Sequence, residues 1–510
     1  MARGPHNIWR LLRTAGTFQK TGAMDVVLEQ LDAPAGARAL LRVLGWPFQW
    51  LGYEGDPALP PVTRAITALG PSYIKLGQIL STRPDVVGGD LATQLRVLQD
   101  KLPPFPTAQA RAMIEADLQQ PIEAMFSEFS EPVAAASIAQ VHQARLASNG
   151  QKVAVKVLRP GIERAFRRDI DAFYLGAWLL ETVAPAFRRL RPRDVIAHFD
   201  ATVQQELDLR TEAAAASEFR ANIQNDAGFT APVIDWGLSG RAVMTQEWVE
   251  GIPMGDVDAI AAAGHDLGDL SDRVMRMFLR HCLRDGYFHA DMHQGNMKVT
   301  PGGDIAVFDF GIMGRLDEYT RRVYAGILMG FIRKDYRRVA ELHFEAGYVP
   351  SDRDVDLFAQ ALRSVGEPIF GMDASRISMG RLLAYLFEVT ERFGMETRTE
   401  LILLQRTMVV VEGVARSLNP SMNIWTAAQP EVATYIRRSL GPRAFARDLA
   451  RTAEVLARFG PHLPEAVEAA LKGTRSPAVV VNARPKRNAA GLFLAGAATA
   501  AAAILLGLSL

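Results

Sequence analysis

Apolar positions in this chain repeat mostly at helical spacing, broken in a few places by the two-residue alternation of strands. The first sixty residues show mixed helical patterning around Ile8, Trp9, Leu11 and Leu12, then Trp46, Phe48 and Trp50, and carry no assignable chemistry. Helical spacing resumes from Pro71 to Leu102 and stops at the breaker run Leu102-Pro103-Pro104-Phe105-Pro106. Two strand-like stretches follow, Ser137 to Arg145 and Lys152 to Leu158, separated by the hairpin signal Ser148-Asn149-Gly150. Residues 161–222 read as helix, and short strands are expected over Thr230 to Trp236 and Arg241 to Val249. Helices then dominate from Ala259 to about residue 470. The exception is a hairpin, Met297 to Val299 and Ile305 to Phe308, joined by Thr300-Pro301-Gly302-Gly303-Asp304. No internal repeat is evident.

Composition narrows the picture. Lys+Arg is 57 and Asp+Glu is 56, a net charge of +1, which argues against a chain devoted to gripping nucleic acid. A hydrophobic fraction of 49% with 22% charged residues is that of a packed protein rather than a disordered one. Cys282 is the single cysteine, so neither a disulfide scaffold nor a cysteine-based zinc module is available. Only 9 of the 57 basic residues are lysines, so a lysine at a motif position carries information.

The N-terminal twenty residues lack the apolar run of a signal peptide. Residues 489–510, AAGLFLAGAATAAAAILLGLSL, carry no charge. As a helix they would be about 33 Å long, enough to cross a bilayer core of roughly 30 Å. Arg484, Lys486 and Arg487 precede them and would hold the preceding domain in the cytoplasm. The alternative for this alanine-rich stretch is a buried or interfacial helix.

The chemistry begins at Val153-Ala154-Val155-Lys156, a lysine on a half-buried strand one hairpin after a loop of small residues, suited to holding phosphate oxygens. Next comes His289-Ala290-Asp291-Met292-His293-Gln294-Gly295-Asn296. Asp291 and Asn296 are separated by four residues, the spacing of a kinase catalytic loop. Asp309-Phe310-Gly311 follows the hairpin and places a carboxylate at a strand end, where it can reach Mg2+ bridging phosphates. Each motif alone is weak, but their order is not a chance series. His289 and His293 have an i, i+4 metal-ligand spacing as a competing reading. It needs a helix that Gly295 cuts short, and structural histidines are the plainer alternative.

Two ordinary kinase parts are missing. The loop before Lys156 reads Ala134-Ala135-Ala136-Ser137 rather than a glycine-rich run, and its Cβ atoms should keep the backbone from lying over phosphates. After Gly311 there is no A-P-E and no long activation segment, so the platform on which kinases dock a peptide is missing.

At this point the chain resembles the UbiB family of atypical kinase-like proteins, also called the ADCK or aarF-domain family. The resemblance spans roughly residues 70–315. It rests on Lys75-Leu76-Gly77-Gln78 within YIKLGQILSTRPD, on the alanine-rich loop, on Glu206-Leu207-Asp208 with Glu212 just after, and on HADMHQGN and DFG. Ala139 stands where some relatives carry Gly, and the tail offers one candidate span where some bacterial relatives have two. Lys75 and Gln78 share a helix face. The resemblance implies that this helix crosses the active site and puts Lys75 where a substrate would enter. On one continuous helix, Glu206 and Glu212 would point about 120° apart and could serve two lysines. The resemblance suggests the pairs Lys156–Glu212 and Lys75–Glu206. Residues 160–200 form an insert with Phe173, Tyr174, Leu175, Trp178, Leu179 and Leu180, followed by Arg188, Arg189, Arg191 and Arg193. It reads as a helical hairpin over its own core, or else as a lipid-facing element. Glu247 to Val249 resembles a kinase hinge whose backbone would hold adenine.

The expected fold is therefore α+β: a two-lobed protein-kinase-like core with an N-terminal helical extension and a C-terminal membrane tail. The expected divisions are 1–70 variable helical region, 71–110 extension, 111–250 N-lobe, 251–472 helical C-lobe, 473–488 linker and 489–510 anchor. The expected activity is that of an ATP-binding, Mg2+-dependent kinase-like ATPase. Asn296 and Asp309 would take the metal, Lys156 the phosphates, and Asp291 a water or acceptor hydroxyl. The resemblance implies support of ubiquinone biosynthesis at the cytoplasmic face of the inner membrane. The partners would be membrane lipids, polyprenyl-phenol intermediates and biosynthetic enzymes. Its rivals are a true small-molecule, lipid or protein kinase and a non-catalytic nucleotide switch that binds lipids.

Overall fold

A computed structural model describes residues 5–30, 46–81, 104–136, 138–183, 192–370 and 399–440, with positions 91, 94, 95, 389 and 392–395 between them. The chain divides into two compact units. Among the described residues, the first holds those up to Thr211 together with Asp235–Glu247, and the second holds Glu212–Ile234 and those that follow from Trp248.

In the first unit, helix α1 (Pro5–Lys20) precedes α2 (Pro61–Leu69) and α3 (Pro71–Ser81). After α4 (Thr107–Leu118) comes a mostly antiparallel sheet in the order β1 (Phe126–Ala135), β2 (Ala139–Leu146), β3 (Lys152–Leu158), β6 (Val243–Glu247), with the short β5 (Ile234–Asp235) at its edge. The β2–β3 hairpin turns where Ser148-Asn149-Gly150 predicts, and Gly150 adopts φ 71°, a conformation open to glycine. Alternation on β3 buries Val153, Val155 and Val157. These pack with Ile114 of α4, Met125, Phe126, Ala144 and Val243. Lys156 projects from the opposite face of the strand.

The insert forms two helices, α5 (Ile162–Val183) and α6 (Pro192–Glu206), which pack on each other through Phe166, Phe173 and Phe199. The described part of the insert thus covers its own core. Leu180's side chain and residues 184–191 lie outside the described residues.

Three local expectations are corrected. Helix does not run continuously through Glu206 and Glu212. It stops after α6 and restarts as α7 (Leu209–Ile223), so the 120° argument does not apply. The physical cause is non-local in part. The Leu209 N–H bonds to the Arg241 carbonyl at 2.9 Å, and Asp208 accepts the Arg210 N–H at 3.1 Å in the manner of a helix cap. Second, Ala134 and Ala135 are not loop. They end β1, paired with Val141 and Gln140. Third, β2 begins at Ala139 rather than Ser137, and Ser137 lies outside the described residues.

In the second unit, α8 (Leu267–Arg280) buries Leu270, Val274, Met275 and Phe278 against α12 (Thr399–Leu418) and α13 (Ile424–Leu440). Two small sheets sit beside it. One orders β4 (Phe229–Thr230), β10 (Ile305–Val307), β9 (Met297–Val299) and β7 (Ile252–Pro253). The other pairs β8 (Tyr287–His289) with β11 (Met313–Arg315). The predicted β9–β10 hairpin is present. The Thr300 hydroxyl accepts the Asp304 N–H at 3.0 Å, and Gly303 supplies a φ of 87°. The fold is a kinase-like mixture of helices and sheets. Among the described residues no helix is long and apolar enough to cross a membrane, and the 489–510 segment lies outside them.

Candidate active site

In the first unit, α3 presents Lys75 to Glu206, the last residue of α6, with Nζ 2.6 Å from Oε1. Both side chains are 14% exposed, so the pair is largely shielded from water. Helix α3 is fixed from its buried face. The Tyr73 hydroxyl bonds Thr14 of α1 at 2.6 Å, and its ring meets Phe173 of α5 edge-on at 4.9 Å. Asp169 of α5 holds Arg10 of α1 in an ion pair. Burial raises the Asp169 carboxyl above its usual range, against the pull of Ser72 and Arg10. The opening residues, for which the sequence offers no chemistry, thus brace the lysine-bearing helix. That brace joins residues 59 and 159 positions apart, so no local pattern announces it. Gln78 lies one turn after Lys75 on the same helix.

Lys156 sits in mid-β3 between Val141 and Met244 on the neighbouring strands, and Glu247 ends β6. Ala136, after β1, donates its N–H to the Ala139 carbonyl at 2.8 Å.

In the second unit, Glu212 lies in the first turn of α7. The Val249 carbonyl accepts the Lys298 ammonium at 3.0 Å, and that ammonium also lies over the Trp248 ring at 5.1 Å. This contact is not foreshadowed by spacing.

The acidic residues gather around His289. This ring is 1% exposed at the end of β8. Its Nδ1 accepts the Asp291 N–H at 3.1 Å, so Nε2 carries the hydrogen and donates to the Asp309 carbonyl at 2.7 Å. Burial lowers the His289 pKa, consistent with a neutral ring satisfied on both nitrogens. His289 is therefore a structural bridge between Asp291 and Asp309. His293 instead caps the next turn by accepting the Gly295 N–H at 3.0 Å, and lies 3.6 Å from the Asp291 carboxylate. Both ring nitrogens of His289 are engaged by backbone groups, so this ring has no nitrogen left to ligate a metal in this arrangement.

Asn296 is 7% exposed and donates its amide to the Asp291 carbonyl at 3.0 Å, which leaves its amide oxygen as the atom a cation would take. Its backbone carbonyl accepts the Phe308 N–H at 3.1 Å, tying the start of β9 to the residue before Asp309. Asp309 has φ 65°, a left-handed conformation uncommon outside glycine and concentrated at functional sites. Phe310, 1% exposed, packs on His289 at 5.5 Å and Phe219 at 5.3 Å. From behind, Thr407 of α12 donates its hydroxyl to the Ala290 carbonyl at 3.0 Å. After Gly311 only Ile312 precedes β11, and Asp317 then caps α9 (Glu318–Ile332) by accepting the Thr320 N–H at 2.7 Å.

Two family models match the chain. The ABC1 atypical kinase-like domain matches residues 97–343, and the UbiB helical domain matches residues 362–423. "Probable protein kinase UbiB" of Marinobacter nauticus is 43% identical over 476 residues, 92% of this chain and 86% of the relative. The chain belongs to the UbiB family. A second UbiB relative, from Azotobacter vinelandii and of the same printed name, is 37% identical over 98% of this chain and 93% of its own length. A solved structure, "The complex structure of Rv3197-erythromycin from Mycobacterium tuberculosis", has a TM-score of 0.46 and 21% identity, covering 68% of this chain and 90% of that one. The UbiB helical domain includes Thr407, so the helix supporting Ala290 from behind belongs to the part that accompanies the kinase-like domain.

Proposed function

We propose that this UbiB-family chain is an ATP-binding, Mg2+-dependent kinase-like ATPase that supports ubiquinone biosynthesis at a membrane, acting on lipid intermediates or on the enzymes that process them. The observation that carries the reading is the His289 bridge, which fixes Asp291 and Asp309 relative to one ring while Asn296 is tied to Asp291.

The donor set fits Mg2+. Asn296 and Asp309 offer an amide oxygen and a carboxylate, and a cation that keeps several waters needs few protein ligands beside phosphate oxygens. Bound there, Mg2+ would neutralise phosphate charge. Lys156 would hold phosphate oxygens as a point charge, with Glu212 as its partner. The backbone of Glu247 and Val249 and the alanine turn would line the nucleotide. Asp291 would orient a water or an acceptor hydroxyl. Lys75, held by Glu206 with Gln78 beside it, would restrict the entry of a bulky acceptor.

On this reading residues 489–510 anchor the protein in the inner membrane with the kinase-like domain in the cytoplasm. Carbonate extraction of the full chain tests the anchor: protein that washes off at high pH does not span. The relatives' printed name makes phosphotransfer to a protein the second reading. ATP turnover by the pure protein, with and without liposomes and polyprenyl-phenol compounds, separates the two. Free phosphate as the only product supports the ATPase. Label on an acceptor supports a kinase. Nucleotide binding with no turnover under any condition refutes both.

A further inference from the structure

Strand β9 carries Lys298 between two core positions. Met297 and Val299 on either side are fully buried, so alternation turns Lys298 to the other face of the strand. The chain just after Val249 is stitched to this strand. Pro253 of β7 pairs with Lys298, and the Met254 N–H donates to the Met297 carbonyl at 3.0 Å. The Lys298 ammonium donates to the Val249 carbonyl at 3.0 Å. It also lies 5.1 Å from the ring centre of Trp248 and 5.7 Å from that of Phe308, within the range at which an aromatic face attracts a cation. These groups all lie in the second unit. Only 9 of the 57 basic residues are lysines, so a compact ammonium here in place of a guanidinium is informative.

The consequence falls on Val249. Its carbonyl is the acceptor that an amino group on a neighbouring base would use, and an ammonium has taken it. An ammonium brings three donors and no acceptor, so this side of Val249 is hostile to any further N–H donor. Purines differ at the position concerned. A purine whose N1 accepts the Val249 N–H turns its C2 toward the carbonyl of the same residue. Adenine carries a bare C–H at C2, where guanine carries an amino group. We propose that Lys298 is a specificity-determining residue of the base site: by holding a positive charge on the Val249 carbonyl it excludes purines that bear a 2-amino group, guanine nucleotides among them. This rests on the nucleotide-binding reading above. The exclusion works by placing a repelling group against the wrong ligand rather than by adding a bond to the right one.

The probe is 2-amino-ATP, which keeps the N1 acceptor and 6-amino group of adenine and adds only the 2-amino group. Calorimetry on the full chain with Mg2+ compares it with ATP. Wild-type protein should bind ATP at least about tenfold more tightly, the scale of one unpaired buried donor. Lys298→Met keeps the apolar stem, removes the charge and frees the Val249 carbonyl. The ATP to 2-amino-ATP affinity ratio should then fall by at least about threefold. Lys298→Leu should shift the ratio the same way and stands in if the methionine variant does not fold. Wild-type protein that binds the two nucleotides equally overturns the proposal. So does a ratio that stays or rises in the variants, including variants that lose both nucleotides alike or merely melt earlier. Wild-type protein that binds neither nucleotide sinks the nucleotide-binding reading itself.

Discussion

Lys75 and Glu206 meet at 2.6 Å across two helices of one compact unit, each with 14% of its side chain exposed. Removing one partner strands a shielded charge, which costs more than the pair itself contributes. Glu206→Gln should therefore lower unfolding stability by about 2 kcal/mol, the scale of a hydrogen bond to a charged group. The double variant Lys75→Met/Glu206→Leu should recover part of the loss. A denaturant-melt cycle on the four proteins checks this, and additive single losses would show the pair to be uncoupled.

Asp309→Asn should abolish Mg2+-dependent nucleotide binding and leave the melting temperature within about 2 °C of wild type. Asparagine accepts the left-handed φ of 65° that this position requires, so the backbone need not change. Only the carboxylate charge proposed to meet Mg2+ is lost. Wild-type Mg·ATP affinity in the variant would remove Asp309 from the metal site.

Thr407→Val deletes the hydroxyl that reaches the Ala290 carbonyl, at a site with no solvent exposure. An abandoned buried carbonyl costs about 1–3 kcal/mol. The expected result is a loss of that order in a urea melt, with slower turnover at saturating nucleotide and little change in nucleotide affinity. A change confined to affinity would contradict support of the Asp291 loop.

Acid should weaken the fold before carboxylates begin to protonate. His142, His281, His289 and His343 are buried, and burial lowers the pKa of each. Above about pH 6.5 both folded and unfolded forms hold these rings neutral, so no penalty arises. As pH falls below that value the unfolded chain takes up protons that the folded one refuses, and stability drops. Urea midpoints at pH 7.5 and 5.5 test this. Equal midpoints would mean these rings protonate as readily inside as out.

The legible parts of this fold were those whose cause is local. Ser148-Asn149-Gly150 and Thr300 to Asp304 are turn chemistry, so both hairpins could be read in place. The spacing of Asp291, Asn296 and Asp309 likewise marked the candidate site. Strand β1 was not legible. Its ladder shifts register between Phe126 and Glu128, between Phe129 and Pro132, and between Pro132 and Ala134, which blurs the alternation. The break between α6 and α7 escaped because part of its cause, the Arg241 carbonyl, lies on a distant segment. His289 was visible as a histidine but not as a bridge, since that role exists only once Asp309 has folded back beside it.

The short run from Gly311 to Asp317 has a consequence for control. Five residues separate Gly311 from the cap of α9, and three of them, Met313 to Arg315, are committed to pairing with β8. No slack remains there for a segment that could swing between an open and a closed arrangement, or accept a phosphate and re-form around it. Control of this protein is therefore to be sought away from the Asp309 carboxylate, in whatever pulls on the Lys75 helix.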